Sequence, residues 1–179
     1  MRFAIKQNTP LTLCVYRMVL QGDTSAITAP GQFVQVQVPG FYLRRPISVC
    51  DWDNETLTLV YKVVGNGTDA MCRMIPGTEL DLLTGLGNGF DVTKGSRREL
   101  LVGGGVGAAP LFMLCQELVG SGVHVDVVLG AQTADALVCL KRYEQLLSRD
   151  VRVATDDGTL GREGFCTSLV EEALAAGVD

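Results

Sequence analysis

The segment Leu100-Leu101-Val102-Gly103-Gly104-Gly105-Val106-Gly107-Ala108-Ala109-Pro110 restricts the possible folds more than any other part of the chain. Its apolar opening is too short for a helix and stops on consecutive glycines, as a buried strand does when it runs into a tight turn. Residues 108–119 then read as a helix, with Pro110 in the first turn and Gly120 at the end. The same order continues with a strand over 123–129, a helix over 135–147, a strand over 151–154 and a helix over 167–176. Strands alternating with helices imply parallel βαβ units with right-handed crossovers.

The first half obeys a different grammar. Residues 12–20 read as a strand, and Gln32-Phe33-Val34-Gln35-Val36-Gln37-Val38 alternates polar and apolar residues until Pro39-Gly40 ends it. Residues 46–50 and 56–64 are two further strands, separated by the turn 51–55. Short strands at this spacing suggest a closed barrel or a sandwich. The expected fold class is therefore β followed by α/β. An antiparallel barrel domain covers residues 1–94 and a parallel-sheet domain covers 95–179, with the boundary in the polar, glycine-containing stretch 91–98.

Composition excludes several functions. With 47% hydrophobic and 20% charged residues the chain has ample material for a core and is no disordered polyelectrolyte. A net charge of -5 and no basic stripe beyond the pair Arg97-Arg98 argue against nucleic acid. No apolar run approaches the roughly 20 residues that span a bilayer, and residues 1–6 lack the apolar stretch of a signal peptide. A cytoplasmic protein is expected. Cys14, Cys50, Cys72, Cys115, Cys139 and Cys166 are scattered, with no CxxC pair, and read as small buried apolar residues.

Three constellations carry chemistry. The glycines Gly103, Gly104, Gly105 and Gly107, with Val106 among them, let a backbone approach a pyrophosphate, whose charge meets free N–H groups at the following helix. Such a turn also serves as a tight connection with no ligand, and no Walker lysine follows it. Arg44-Arg45-Pro46-Ile47-Ser48 and Val60-Tyr61-Lys62-Val63-Val64-Gly65-Asn66-Gly67-Thr68 are the other two. Thr68 is expected to cap a short helix through Met74, with Gly67 leaving its N-terminus open to an anion. An arginine beside that N-terminus makes a second diphosphate site, and Ser48 offers a hydroxyl to a bound heterocycle. Taken singly, Arg45 is equally a barrel-rim cation and Thr68 merely a cap.

In this order the motifs resemble the ferredoxin reductase-like family, in which an antiparallel FAD barrel precedes an NAD(P) domain. Within it the chain is most similar to the electron-transfer subunits of NAD-dependent (class B) dihydroorotate dehydrogenases. The resemblance rests on Arg44-Arg45-Pro46-Ile47-Ser48, Gly65-Asn66-Gly67-Thr68, Gly85-Leu86-Gly87-Asn88-Gly89-Phe90, the glycine turn 103–110 and Thr155-Asp156-Asp157-Gly158, and it covers the whole chain. It implies that Arg45, Pro46, Ile47 and Ser48 line FAD, with Arg45 on the pyrophosphate and Ser48 near the flavin ring. Val60, Tyr61 and Lys62 then border the isoalloxazine, Gly67 and Thr68 hold the phosphates, and Gly103, Gly104, Gly105, Val106 and Gly107 face the nicotinamide nucleotide. Plant-type reductases carry an aromatic residue where Ile47 stands.

The resemblance further implies a hetero-oligomer with an FMN-containing catalytic dihydroorotate dehydrogenase subunit, and electron flow between NAD(H), FAD and that partner. The family's nucleotide domain continues into a Cys-Gly-Pro turn, and these subunits bind a [2Fe-2S] centre through four clustered thiolates. No cysteine here has that spacing, so a shortened form without metal ligands is expected. Gln132-Thr133-Ala134-Asp135 holds no Lys or Arg for a 2′-phosphate, which favours NAD over NADP. Lys141 and Arg142 read as a solvated helix face, His124 as a surface residue at a strand start, Trp52 as part of a turn and Asp156-Asp157 as turn formers. The alternatives are another ferredoxin-type reductase subunit, which Gly87-Asn88-Gly89-Phe90 argues against, or a non-catalytic module of the same fold.

Overall fold

A computed structural model describes residues 1–94, 97–175 and 177. The chain divides into two compact units, Met1–Phe90 and Asp91–Asp179. The expected boundary at 94 and 95 touches Gly95, which lies outside the described residues, as do Ser96 and the expected last helical residue, Ala176.

The first unit is a closed antiparallel barrel of β1 (Arg2–Pro10), β2 (Val15–Gln21), β3 (Phe33–Gln37), β4 (Arg45–Trp52), β5 (Thr56–Lys62) and β6 (Glu79–Leu86). Around the barrel the order is β1-β2-β5-β4-β3-β6, and β6 pairs back onto β1 through Arg2 with Asp81 and Ala4 with Glu79. Closure leaves no strand edge open to another chain. Alternation fills the interior: Val34 and Val36 of β3 point in with Phe3, Ile5, Met18, Leu20, Leu57, Leu59, Leu80 and Leu82.

Four of these strands were legible as strands, whereas β1 and β6 were not. In β1 only Phe3 and Ile5 give a buried apolar alternation before the pairing slips between Ile5 and Gln7, and the residues after it are exposed except for half-buried Asn8. In β6 the pattern of Leu80 and Leu82 gives way to Gly85. Trp52, expected in a turn, ends β4 and packs on the barrel core; Asp53 makes the turn by accepting from Glu55 N, Thr56 N and Thr56 Oγ1 at 2.7–2.9 Å.

The Gly85-Leu86-Gly87-Asn88-Gly89-Phe90 stretch closes one end of this unit. Gly85 has φ +67 and a Cβ there would meet the Ala26 carbonyl oxygen at 2.5 Å; Gly89, at φ +72, would meet Ala29 Cβ at 2.6 Å. Phe90 N donates to Pro30 O, and Gln32 Nε2 donates to Gly87 O while its Oε1 accepts from Thr28 N and Ala29 N. The motif is thus shaped by the close pass of two backbone segments.

The second unit is a parallel sheet in the order β10-β9-β8-β7, built from β7 (Arg98–Gly104), β8 (His124–Ala131), β9 (Arg152–Thr155) and the short β10 (Arg162–Glu163). With α1 (Asn66–Cys72) in the first unit, its helices are α2 (Phe112–Gly120), α3 (Leu140–Leu147) and α4 (Thr167–Ala175). The first expected helix begins as a 3-10 turn over Gly105–Leu111, where Pro110 supplies no N–H. The second is broken: a 3-10 turn Ala134–Ala136 is followed by extended Leu137 and by Cys139 at φ 64, which buries Val138 before α3 starts. Cys50 and Cys115 are buried, the other four cysteines are half-buried, and none is in a disulfide. Burial pushes the Cys115 thiol up to about 11.

Asp126, 5% exposed on β8, anchors the start of the sheet. Arg98 donates to its Oδ2 from Nε at 2.8 Å, Arg149 lies 3.3 Å from Oδ1, and His124 Nε2 lies 3.8 Å from Oδ2. Burial favours the neutral acid, but the hydrogen bond and charge of Arg98, then the charges of Arg149 and His124, outweigh it and hold the carboxyl below 3.8. Its folded value is depressed, so the stabilisation is present above the unfolded value of about 4 and is lost as pH falls through the folded value. Asp126→Asn should cost about 1–3 kcal/mol at neutral pH and remove part of the acid-induced loss, measured by denaturant unfolding from pH 7 to 3.

Candidate functional site

In the barrel unit, β4 begins with Arg45 where β5 ends, because the two strands are antiparallel neighbours. After β5 the chain runs through Val63, Val64 and Gly65 into α1. The result is a cleft of about 490 Å³ lined by Phe41, Arg45, Val64, Gly65, Asn66, Gly67 and Thr68. That volume falls in the usual range of small-molecule sites.

Only one residue of the Arg44-Arg45 pair reaches it. Arg44 turns away to Asp81, donating from Nη2 to Oδ2 at 2.5 Å and from Nη1 to the Asp81 carbonyl at 3.0 Å. That hydrogen bond, with the one from the N-terminal amine, lowers the Asp81 carboxyl below its usual value. Arg45 instead donates to Leu43 O and places its guanidinium 5.2 Å from the centre of the Phe41 ring.

Thr68 is not the helix cap. Gly65 holds that place, the helix runs only to Cys72, and Thr68 sits in its first turn. Its hydroxyl accepts from Val64 N and Gly65 N at 3.0 and 3.3 Å and donates to Gly65 O at 3.0 Å, which folds the loop back on itself. The first-turn amides have no carbonyl behind them to bond, so they remain donors for a ligand. A cation beside such amides, with Phe41 and the exposed Val64 as apolar lining, fits a diphosphate carrying a heterocycle; a Cβ on Gly65 would meet nothing within 4 Å.

The structure thus brings Arg45, Gly67 and Thr68 together. The other expected flavin residues lie along β4 and β5, outside the lining. Pro46 and Ser48 are exposed on one face of β4, Lys62 is exposed at the end of β5, and Val60 is buried. Ile47 packs on the barrel core. Tyr61 points into the barrel, stacked on Tyr16 with centroids 6.0 Å apart, and its hydroxyl donates to Asn8 Oδ1 at 3.0 Å. Burial raises its phenol, so it stays a neutral donor, and it can offer a ligand only its backbone.

In the second unit the glycine turn is built around one close approach. A Cβ on Gly103 would lie 2.8 Å from Ala108 Cα, whereas Gly104 and Gly107 are exposed with nothing within 4 Å. Gly105 turns the chain at φ +53, and Val106 is half-buried. Tyr143 of α3, fully buried, donates its hydroxyl to Ala108 O at 2.7 Å and meets the Phe112 ring edge-on, while Arg142 lies 3.8 Å over Phe112. Arg142 is therefore packed rather than merely solvated. Neither Phe41 nor Tyr143 was picked out from the sequence; a lone tyrosine among apolar helix positions was the only signal for the latter.

The Thr155-Asp156-Asp157-Gly158 segment is a turn, as expected. Thr155 Oγ1 exchanges hydrogen bonds with Leu160, and Asp157, lowered by its bond to Thr159, accepts from Thr159 N and Oγ1. Asp156 N and Asp157 N donate to Ala131 O and Gln132 O, tying this turn to the end of β8.

No family model matches the chain. It is 37% identical over 179 residues to the dihydroorotate dehydrogenase B (NAD(+)) electron transfer subunit of Geobacillus sp. (strain WCH70), covering 96% of this chain and 69% of that one. The subunit of the same description from Bacillus mycoides (strain KBAB4) is 41% identical over 165 residues, covering 88% and 63%. The corresponding Enterococcus faecalis (strain ATCC 700802 / V583) subunit is 41% identical over 170 residues, covering 91% and 64%. The chain thus spans less than two thirds of the length of several of its curated relatives. Among solved structures, the NADH-dependent reduced ferredoxin-NADP oxidoreductase superposes with a TM-score of 0.85 at 28% identity, covering 96% of this chain and 63% of that one. Phthalate dioxygenase reductase, at 19% identity and a TM-score of 0.74, covers 88% and 52% and shares the fold.

Gly103→Ala should destabilise the second unit by about 1–3 kcal/mol, the cost of overpacking against backbone. Gly104→Ala, in extended backbone facing open space, should leave thermal unfolding unchanged. Tyr143→Phe should cost about 1 kcal/mol by leaving the Ala108 carbonyl without its donor.

Proposed function

The chain belongs to the family of electron transfer subunits of the NAD-dependent dihydroorotate dehydrogenase B, and from that premise we propose that it passes electrons between NAD(H), bound FAD and an FMN-containing catalytic partner subunit. The observation that carries this is the barrel cleft, where Arg45 meets the first turn of α1 while the glycine turn of the second unit offers a separate dinucleotide cradle.

Bound FAD supplies the hydride and single-electron chemistry, and the protein's task is binding and orientation. Arg45 offsets the diphosphate charge, and the first-turn amides donate to its oxygens. The loop folded by Thr68 keeps those amides facing the cleft. Ser48 and Lys62, exposed on neighbouring strands, are the side chains available to polar edges of the ring. Gly104 and Gly107 leave room for a nicotinamide nucleotide's pyrophosphate, and the absence of Lys or Arg over residues 132–135 favours NAD. Dihydroorotate oxidation is the task of the partner subunit.

A [2Fe-2S] centre does not fit the residues present, since among those described no three His, Cys, Asp or Glu side chains group for a metal. Among the described residues no helix is long and apolar enough to cross a membrane.

The similarity to a ferredoxin-NADP oxidoreductase supports a second reading, a reductase subunit that exchanges electrons with ferredoxin. Affinity capture with the tagged protein separates the two: a dihydroorotate-oxidising subunit is expected, and recovery of ferredoxin in its place favours the second reading. The visible spectrum of the purified protein under anaerobic conditions tests the cofactor assignment. Stoichiometric FAD, bleached by NADH and not by NADPH, is expected. A protein that takes up no FAD on reconstitution overturns the proposal.

A further inference from the structure

The Arg45 side chain is held from several sides before any ligand arrives. Its guanidinium lies over the Phe41 ring, with Cζ 5.2 Å from the centroid. Its Nη1 donates to Leu43 O. Against it lies Gly67, where a Cβ would come 2.0 Å from Arg45 Nε and 2.6 Å from Cζ and Nη2. Phe41 itself is fixed: it packs on the barrel core, its N donates to Val38 O at 3.1 Å, and its carbonyl accepts from Gln37 Nε2 at 2.8 Å.

Helix energetics sharpen the meaning of Gly67. It is the second residue of α1, where alanine is a better helix former than glycine by at most about 1 kcal/mol, and its backbone is not in the left-handed region. Neither local propensity nor backbone conformation asks for glycine. The nearest atoms that a methyl group would strike all belong to the Arg45 head.

We propose that Phe41 and Gly67 form a clamp that positions the Arg45 guanidinium at the cleft, so that the cation is oriented toward the diphosphate in advance of binding. The inference rests on the reading of this cleft as the FAD diphosphate site. Pre-orientation removes the rotamer entropy that a long arginine would otherwise lose on binding. A ring face keeps the guanidinium plane in place without using up all its N–H donors. Gly67 takes the part of an absent side chain, since any larger residue occupies the volume that the guanidinium fills. Phe41 and Gly67 are positioning residues that act through Arg45.

The test is a double-mutant cycle on FAD affinity, read by flavin fluorescence, with Phe41→Leu, Phe41→Tyr and Gly67→Ala made alone and in an Arg45→Ala background. Phe41→Leu should raise the FAD Kd by about three- to thirtyfold, the range of a cation–π contact. Gly67→Ala should raise it by about tenfold, the loss of an oriented charged contact. Phe41→Tyr, which keeps the ring, should stay within about twofold of the parent. In the Arg45→Ala background the effects of Phe41→Leu and Gly67→Ala should vanish. Equal losses with and without Arg45 overturn the clamp, because the two residues then act on the flavin or on the fold directly. If Arg45→Ala itself leaves FAD affinity unchanged, the assignment of the cleft is what fails.

A second measurement needs no flavin. In the apoprotein the Arg45 Nε–H resonance should be displaced by the Phe41 ring current, and should move to the position of a free arginine in both Phe41→Leu and Gly67→Ala. The Gly67→Ala apoprotein should melt no lower than the parent. An Arg45 resonance that neither substitution shifts overturns the clamp.

Discussion

The antiparallel pairing of β4 with β5 is the constraint on which the barrel's cleft depends. Antiparallel neighbours exchange ends, so the residue that opens β4, Arg45, stands beside the chain that leaves β5. That exit must turn into α1 within a few residues, and Thr68 makes the turn by binding both Val64 N and Gly65 N with one hydroxyl. The cation and the unbonded first-turn amides then come to the same place with no long-range device. Registry along β4 and β5 is held by their ladders with β3 and β2, which extend to the closure of β6 on β1. Barrel closure and site geometry are therefore one requirement.

Both units use glycine where a side chain would exclude a neighbour, but the neighbours differ. At Gly103 the excluded atoms are the Ala108 backbone, which has nowhere to go without moving the start of the following helical turn. At Gly67 they are the end of a flexible arginine, which can swing out at little cost to the fold. The same residue type thus secures packing in one unit and orientation in the other. Adjacent Gly104 and Gly107, with open space around them, belong to a third case in which no neighbour within the chain is excluded.

This distinction marks what the sequence made legible. The alternation of residues 32–38 and the glycine turn after Leu100-Leu101-Val102 give the barrel and the parallel sheet, because period and turn chemistry are local properties. Arg45, Gly67 and Thr68 stood out because their residue types carry site chemistry, and the structure sets all three on one cleft. The contacts within the cleft were not legible. The resemblance singled out Arg45, but the reason it and not Arg44 faces the cleft is Asp81, distant in sequence, drawing Arg44 away. The helix cap shifted from Thr68 to Gly65 because the hydroxyl bonds back to the loop rather than forward into the helix. Phe41 and Tyr143 carry no motif at all; each matters through one long-range contact, Phe41 with Arg45 and Tyr143 with Ala108. The break at Cys139 was hidden for the same reason, since burying Val138 is a tertiary gain that overrides a continuous helical pattern.

The parallel sheet separates these demands along its own length. Its strands all start on one side, where Arg98 pairs in register with His124 and both gather with Arg149 around Asp126. They end on the other side, where Gly104 pairs with Gly130. A Cβ on Gly130 would come within 2.9 Å of Cys166 Sγ, so even there one glycine serves packing while its partner stays open. Charge at the starting edge is paired and partly buried. At the finishing edge, side chains are withdrawn around Gly104 and Gly107, which removes contacts that would otherwise stabilise the turn. The cluster around Asp126 and the Tyr143 hydrogen bond to Ala108 are the compensations this division requires. One holds the strands together at the end away from the glycines, and the other braces the glycine turn from behind, leaving its open side free.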